Sequence, residues 1–257
     1  MGTEAKNNIY ASGEYICNNP TLDVEDTPWK LSKIIPLADE FVTQFSSTKV
    51  KILDVGGGAG LFLKGISDYL RTKNIKVEQY ALDLSREMLV IQKRNNPDIK
   101  EIFEGSIEKT SFEDKEIDLV LMIDVIEHVP DAVAALKELR RISKYAIFKV
   151  PLENNIYYNF LNLIKTGGLR RDITEKVGHI NFYNFKELKK QIAAHTGEIL
   201  RYYFTNVFEY YLSKDYYKRI VAKEKILYTL GKLAFAISPD LCSHLFNDFV
   251  VCLVKCK

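Results

Sequence analysis

Short apolar runs alternate along this chain with stretches whose apolar residues recur every three or four positions. The first run, Val50 to Val55, is rich in β-branched residues and ends at glycine, which predicts a buried strand. More glycines follow at once, and residues 61–70 then show the helical spacing of apolar side chains. A strand, a glycine turn and a helix in this order open a doubly wound α/β sheet.

Further apolar runs predict the remaining strands of one sheet. The run at 117–124 is continuous, which is typical of a central strand buried on both faces. Ser85 and Asn184 are each placed to cap a following helix. The other predicted strands cover residues 77–83, 100–104, 144–150, 198–206 and 249–254. This alternation of strands and helices predicts an α/β protein.

Segments outside this alternation are predicted to flank the sheet. Residues 1 to about 27 are polar and are expected to form a loosely structured entry segment. Thr27 and Pro28 then start an amphipathic helix, which either packs on the sheet or covers a ligand. A helix at 153–164 is followed by a turn at Gly167 and Gly168.

Some forty residues separate the last two predicted strands, which is unusually many for a hairpin connection. They include an apolar helix at 226–237 and a group of tyrosines. A lid over a substrate pocket, an interfacial helix for a lipid-like substrate and a homodimer contact are three open interpretations. The tyrosines are Tyr210, Tyr211, Tyr216 and Tyr217.

The glycine turn follows the spacing D-x-G-x-G-x-G over residues 54–60. The dinucleotide pattern G-x-G-x-x-G needs a third glycine where this chain has Leu61 or Leu63, depending on the frame, and no P-loop lysine follows. Glycine lets a ligand approach the main chain closely. A tight turn that binds nothing is the alternative interpretation.

Two other strand ends carry polar side chains. Asp83 ends the second predicted strand, where one carboxylate can accept hydrogen bonds from both hydroxyls of a ribose, although it could also be an ordinary helix cap. Asp124 ends the fourth strand, and Glu127 and His128 follow it. Because ligands of open α/β sheets lie beyond the carboxyl ends of the strands, these residues are expected in the same crevice as the glycine turn.

The motifs at 54–60, 83–85 and 127–129 together resemble those of class I S-adenosylmethionine-dependent methyltransferases. Glu-His-Val at 127–129 and Gly178-His179 resemble the branch that includes the quinone-biosynthesis methyltransferases (methyltransferase types 11, 12 and 23). The resemblance covers about residues 50–205 and the last strand. It implies a Rossmann-like seven-stranded sheet of order 3-2-1-4-5-7-6, with the last strand antiparallel, helices on both faces and a helical insertion.

The resemblance also implies a cofactor, S-adenosyl-L-methionine, and the residues that hold it. In the family the glycines pass beneath the cofactor, the acid at the end of the first strand faces its methionine part, and the acid of the second strand holds its ribose. Ser106 stands where an Asp is more usual. The implied cofactor-binding residues are Asp54, Gly56, Gly57, Gly58, Gly60, Asp83, Leu84, Ser106, Ile107, Ile123 and Asp124.

Three residues are candidates for catalysis: His128, Glu127 and His179. Alignment and a dry pocket supply much of the rate of an in-line methyl transfer, but a hydroxyl acceptor also needs a base, and histidine has a suitable pKa. His128 is the first candidate base, and the alternative is that it only shapes the pocket. Some related O-methyltransferases bind a divalent ion at a similar cluster, but Asp124 has a shorter arm than the Glu found there, and no metal is predicted.

Composition narrows the class of protein. The 257 residues carry a net charge of +2, which is too balanced to indicate nucleic acid as a partner. Cys17, Cys242, Cys252 and Cys256 form no C-x-x-C pair and are expected to be reduced thiols. The N-terminus lacks the apolar core of a signal peptide, and no run approaches the length of a membrane span. These features predict a cytoplasmic protein.

The predicted function is methyl transfer to a small-molecule acceptor, with oxygen as the preferred acceptor atom. The chain shows no Asn-Pro-Pro-Tyr motif of the kind used for amide or base amines. A nicotinamide-dependent oxidoreductase and a non-catalytic partner subunit that binds S-adenosylmethionine are the alternatives. One domain is expected: a helical cap at 1–48, a core at 49–206 and 248–257, and substrate or lid insertions at 152–180 and 207–247.

Overall fold

The computed structural model describes residue 22, residues 24–213 and residues 220–257 of the chain. Most of the predicted entry segment, together with Cys17, lies outside the described residues, as do Tyr216 and Tyr217.

A single seven-stranded sheet forms the centre of the molecule, with the strand order β3-β2-β1-β4-β5-β7-β6. The first five strands pair in parallel, and β7 runs antiparallel to both β5 and β6. Both the predicted order and the antiparallel last strand are therefore confirmed. The strands are β1 (Lys49–Val55), β2 (Lys76–Asp83), β3 (Ile99–Glu104), β4 (Ile117–Ile123), β5 (Ser143–Pro151), β6 (Gly197–Phe204) and β7 (Phe249–Cys256).

Helices cover both faces of this sheet and divide its core into two layers. One layer packs α1 and α2 against the strands, and the other packs α4 and α7 against the opposite face. The helices are α1 (Thr27–Gln44), α2 (Leu61–Thr72), α3 (Arg86–Asn95), α4 (Ala132–Ile142), α5 (Ile156–Ile164), α6 (Gly168–Val177), α7 (Phe185–His195), α8 (Val207–Tyr211), α9 (Ala222–Ile237) and α10 (Pro239–Leu245).

The N-terminal helix α1 packs on the sheet through its apolar face. Ile34, Leu37 and Phe41 are fully buried, and α1 contacts α2, β5 and β7. The Tyr145 hydroxyl of β5 donates a hydrogen bond to the carbonyl of Gln44 at 3.2 Å. Of the two interpretations of this helix, packing on the sheet is thus observed, and its first turns also reach the cleft described below.

The insertion after β5 differs from its prediction. A turn was expected at Gly167 and Gly168, but only Gly167 is a linker, with φ of 81°, and Gly168 begins the helix α6. No glycine or proline interrupts residues 169–177, so the helix continues until Gly178, whose φ of 79° ends it. The preceding helix starts at Ile156 rather than at residue 153, because the Asn155 side chain caps it.

Candidate functional site

Glycine conformation shapes the turn between β1 and α2. Gly56 and Gly58 have φ of 59° and 53°, which side chains other than those of Asn and Asp rarely adopt. A Cβ at Gly58 would meet no atom within 4 Å, so this position faces open space. A Cβ at Gly57 would collide with the Asp54 carboxylate. The turn therefore leaves a bare backbone surface above the end of β1.

Asp54 is a buried acid beneath this turn. Its side chain has no exposure, and neither carboxylate oxygen has a hydrogen-bond partner among the described residues. Burial, and then the nearby charge of Asp83, raises the pKa of Asp54 to about 8. An orphaned carboxyl group of this kind is suited to a cationic ligand, which would favour its ionised form.

Asp83 ends β2 beside the turn. Its Oδ1 accepts a hydrogen bond from the backbone N–H of Ser85 at 2.9 Å, and its Oδ2 accepts one from Gln92 at 3.3 Å. Burial raises the pKa of Asp83 to about 6. The Ser85 hydroxyl in turn accepts from the N–H of Met88 and caps α3, as predicted. The two acids lie on adjacent strands, which explains why the charge of Asp83 reaches Asp54.

A cleft opens beside Asp83. Leu84 forms part of its wall and is 40% exposed, so an apolar surface faces a ligand there. Ser106 also lines it, but its hydroxyl donates a hydrogen bond to Glu108 at 2.9 Å. The lining residues include Val55, Gly56, Gly58, Leu82, Met88, Gly105, Ile107, Asp124, Val125, His128, Val129, Pro130, Gly178 and Ile180.

A second cleft continues from the first past the glycine turn. Gly56, Gly58, Asp124 and His128 line both, so the two form one continuous space. The second cleft is bounded by the start of α1, by the loop after β4 and by aromatic side chains of α8 and β7. Its other lining residues include Lys30, Gly57, Leu61, Phe62, Ile123, Glu127, His179, Tyr211 and Phe249.

Asp124 lies where the two clefts meet. Its φ is 55°, a value that asparagine and aspartate tolerate better than other residues with a side chain. Its carboxylate is paired with Lys149, which is fully buried, and with Lys30 of α1 at 3.1 Å. Burial opposes ionisation of Asp124, but the two lysines outweigh it and hold its pKa well below the usual range. Burial lowers the pKa of Lys149 to about 8. Asp124 thus ties α1 to the ends of β4 and β5.

Glu127 carries an acid side chain close to the two histidines. Its side chain is fully buried, and both carboxylate oxygens lack a hydrogen bond among the described residues. Burial and the charge of Asp124 raise the pKa of Glu127 to about 8. Its backbone carbonyl accepts from the N–H groups of Ile180 and Asn181, which fixes the loop that carries the second histidine. Glu127 is therefore largely protonated at neutral pH.

His128 and His179 both line the second cleft, and their rings are in edge-to-face contact with centroids 4.8 Å apart. Burial, and then His179, lowers the pKa of His128 to about 4, so this imidazole is neutral. Burial alone would also lower the pKa of His179, but its Nδ1 lies 2.7 Å from the Glu153 carboxylate, and the result is a raised pKa. The two imidazoles thus differ in basicity, and His179 is the stronger base.

A metal ion has a candidate set of ligands at the same place. Glu127, His128 and His179 each offer a ligand atom, and these atoms lie within 4.8 Å of one another. One oxygen and two imidazole nitrogens suit a transition ion better than Mg²⁺. Asp124, the fourth residue considered from the sequence, already pairs with Lys30 and Lys149. The expectation of no metal remains a prediction.

Most of the residues predicted for the site line the cleft, and two lie beneath it. Asp54 is covered by the turn, and Gly60 caps α2, where a Cβ would press on the backbone of Gln92. The sequence prediction missed Lys30, Lys149 and Glu153. A lysine inside an otherwise apolar strand was an available signal for Lys149, because buried charges need a partner. No local pattern marks Lys30 or Glu153.

Comparison with known proteins finds methyltransferases. Residues 53–145 match a family model described as a methyltransferase domain. An uncharacterised methyltransferase of Schizosaccharomyces pombe is 35% identical over 103 residues, which are 37% of this chain and 36% of that protein. The chain thus matches about a third of the length of this relative. The matched region holds the glycine turn, Asp83 and the loop with Glu127 and His128.

Solved structures share the fold over most of the chain. A geranyl diphosphate C-methyltransferase from Streptomyces coelicolor A3(2), crystallised with Mg²⁺, geranyl-S-thiolodiphosphate and S-adenosyl-L-homocysteine, superposes with a TM-score of 0.56 at 11% identity, over 86% of this chain and 76% of that one. A methyltransferase in complex with the Haloferax volcanii Trm112 methyltransferase activator gives 0.55 at 12% identity, over 91% and 94%.

At these identities the likeness shows the fold, which is that of class I methyltransferases, as predicted. The predicted cofactor, S-adenosyl-L-methionine, agrees with the demethylated cofactor in the Streptomyces enzyme. The relatives are methyltransferases, so the oxidoreductase and the non-catalytic alternatives gain no support. Among the described residues, no helix has both the length and the apolar character needed to cross a bilayer.

Proposed function

We propose that this chain, whose residues 53–145 match a family model described as a methyltransferase domain, transfers a methyl group from S-adenosyl-L-methionine to a small-molecule acceptor. The observation that carries the proposal is the continuous cleft, which runs from Asp83 past the glycine turn to His128 and His179. When bound, the cofactor supplies a methyl group on a sulfonium, which a nucleophile can attack in line.

The residues of the first cleft fit this cofactor. The carboxylate of Asp83 can accept hydrogen bonds from ribose hydroxyls, and Leu84 and Ile107 provide apolar surface for an adenine ring. Gly58 leaves room for close approach to the backbone. The orphaned carboxyl group of Asp54 is suited to the ammonium group of the methionine part. Asp83 can therefore contact the ligand directly, whereas Asp54, beneath the turn, can favour the ammonium group only through its charge.

The second cleft supports an oxygen acceptor. A hydroxyl group that takes up a methyl group loses its proton, and a base at the site must accept it. Glu153 engages Nδ1 of His179, which leaves Nε2 as the nitrogen that can accept the proton. We assign His179 as the base, while neutral His128 and Glu127 shape the acceptor pocket. This assignment puts His179 before His128, which ranked first on the sequence alone.

A calorimetric titration with S-adenosylhomocysteine tests the cofactor half of the proposal. We expect binding that NAD does not displace, and an Asp83→Ala variant that binds at least tenfold more weakly, because it loses the acceptor for two hydrogen bonds. Glu101→Gln, at an exposed acid on β3, is the matched control and should bind as the unchanged protein does. Failure to bind the nucleoside, or displacement by NAD, would reject the proposal.

Transfer of a labelled methyl group to a panel of hydroxyl, amine and carbon acceptors tests the other half. We expect labelled product with a hydroxyl compound, and a loss of orders of magnitude in turnover when His179 is replaced by Gln while cofactor affinity stays the same. Labelled product with amines alone would reject the oxygen acceptor, and full activity of the His179→Gln variant would reject His179 as the base. Neither result would affect the cofactor assignment.

A further inference from the structure

The helix α9 presents an apolar stripe to solvent. Ile226, Leu230, Leu233 and Ile237 recur at helical spacing on one face, and each is between 53% and 80% exposed. The opposite face carries Gly231, which is buried against the ring of Phe208. One face of α9 therefore already packs against the rest of the chain. The exposed apolar stripe lies on the outer face of the helix.

The helix α5 presents a second stripe of the same kind. Ile156, Phe160, Leu163 and Ile164 follow helical spacing, are between 58% and 76% exposed, and form the outer side of a helix in which no residue is fully buried. Soluble monomers rarely leave several large apolar side chains side by side in water. Two such stripes on one molecule indicate a surface with a function.

The short helix α10 joins the two stripes. It contacts both α5 and α9, and its Leu241 is 49% exposed. The Phe246 ring that follows it packs against Tyr157 of α5 at a centroid distance of 6.2 Å. Because Tyr211 stacks on Tyr228 of α9 and also lines the second cleft, this surface borders the acceptor end of the site. We call it the apolar rim, formed by α5, α9 and α10.

Basic side chains accompany the apolar rim. Residues 156–165 and 221–246 together contain four Lys and two Asp or Glu, a net charge of +2, which equals the net charge of the whole chain. Lys165 follows the α5 stripe directly, and Lys223 and Lys232 flank the α9 stripe and are exposed. A face that is both apolar and basic attracts an anionic surface and repels an identical face.

We propose that the apolar rim docks this protein on an anionic lipid bilayer, with the stripes of α5 and α9 buried in the headgroup region and the flanking lysines against lipid phosphates. No described helix can span a bilayer, so the attachment is to one surface. Docking in this way places the acceptor end of the cleft next to the membrane. The inference goes beyond the proposed methyl transfer and stands independently of it.

Co-sedimentation with lipid vesicles tests the proposal directly. We expect the protein to bind vesicles of phosphatidylcholine mixed with phosphatidylglycerol and to bind pure phosphatidylcholine weakly. A Leu230→Ser/Leu233→Ser variant should bind the anionic vesicles more than tenfold less well, because two apolar side chains no longer leave water. Val90→Ser is the matched control, since Val90 is a 55% exposed apolar residue on α3, and it should bind normally.

Two further measurements make the outcome decisive. Calorimetry with S-adenosylhomocysteine should give the same affinity for the stripe variant, which shows that it is folded. In a Leu233→Trp variant, brominated lipid should quench the introduced indole while Trp29, packed between Tyr210 and Phe249, keeps its emission. The proposal would be overturned if the protein did not bind anionic vesicles. It would also be overturned if the protein sedimented as a dimer and the stripe variant as a monomer, since the apolar rim would then be the contact with a second copy of this chain.

Discussion

The side chain of Asp54 is a buried acid that lacks a cation. Because burial and Asp83 raise its pKa to about 8, it is largely protonated at neutral pH in the free protein. The ammonium group of a bound ligand favours the ionised form, so binding is coupled to loss of a proton. The affinity for S-adenosylhomocysteine should therefore rise with pH, by up to about tenfold per unit, as Asp54 ionises, and fall again once the α-amino group of the ligand loses its own proton, at about pH 8.

Calorimetric titrations between about pH 6.5 and 8.5 measure this dependence. An Asp54→Asn variant should bind more weakly and with a flatter pH profile, since its amide cannot ionise. Asp83, whose pKa is about 6, is largely ionised across this window and acts as the internal control. An affinity that stays constant with pH in the unchanged protein would separate Asp54 from the ligand.

His179 owes its basicity to Glu153. Burial lowers the pKa of this imidazole, and the hydrogen bond to Glu153 more than compensates. A Glu153→Gln variant should therefore shift the titration of the His179 ring to lower pH, which nuclear magnetic resonance of the imidazole protons measures without any acceptor. Turnover should fall as well, because a weaker base accepts the proton less readily.

Glu175→Gln on α6 is the control for this change, because Glu175 is exposed and changes the charge equally without touching the ring. A His179 titration that is the same in the Glu153→Gln variant would show that the carboxylate does not set the basicity. The acceptor base would then have to be sought in His128, whose pKa of about 4 makes it a weaker one.

The strand-end residues of the site were predictable because their chemistry is local. Asp83 and His128 follow apolar runs, and the carboxyl ends of parallel strands meet at one edge of the sheet. Lys30 and Glu153 were not predictable in this way. Their partners, Asp124 and His179, lie 94 and 26 residues away in sequence, and only the packing of α1 and of the β5 insertion brings them together.

At the scale of elements, apolar periodicity predicted every strand to within two residues, because buried parallel strands need long apolar runs. The insertions were less predictable. The pair Gly167 and Gly168 suggested a turn, yet glycine at the start of a helix costs little, and α6 begins there. The helix α9 also starts four residues before the apolar run at 226, because Glu224 completes a capping arrangement with the backbone of Val221.

Gly231 sets how closely α9 approaches α8. A Cβ at this position would collide with the ring of Phe208, so the two helices can pack only around a glycine. Glycine to alanine normally stabilises a helix by up to about 1 kcal/mol, but overpacking costs about 1–3 kcal/mol. Gly231→Ala should therefore lower the free energy of unfolding by about 1 kcal/mol, as measured by urea denaturation.

A Phe208→Leu change in the same background should recover part of this loss, because the smaller side chain leaves space for the new methyl group. Thr229→Ala, at an exposed position of α9, is the control and should leave stability unchanged or slightly higher. A Gly231→Ala variant that is more stable than the unchanged protein would show that α9 does not lie against Phe208.

Several ionisable groups of the molecule lie buried at one edge of the sheet. Because their pKa values differ between the folded and unfolded states, they make the free energy of unfolding depend on pH. Asp54 and Glu127 are both fully buried, and the pKa of each is raised to about 8. In the unfolded chain these acids ionise near their ordinary values of about 4. Between about pH 4 and pH 8 the folded state binds more protons than the unfolded state. The contribution of these two acids to the free energy of unfolding is therefore largest at the lower end of this range and decreases as pH rises towards 8.

Each of the two acids should contribute a loss of roughly 1.4 kcal/mol per pH unit in this range. Urea denaturation at intervals between about pH 6.5 and 8 measures the slope. Asp124 has a lowered pKa and is ionised in both states throughout this window. Lys149, with a pKa of about 8, is largely protonated in the lower part of the window and opposes the trend only as pH approaches 8. Glu127→Gln should reduce the slope by about one proton, whereas Glu101→Gln at an exposed site should not. An identical slope in the Glu127→Gln protein would mean that Glu127 is ionised in the fold, and the acceptor pocket would then carry a negative charge beside its two histidines.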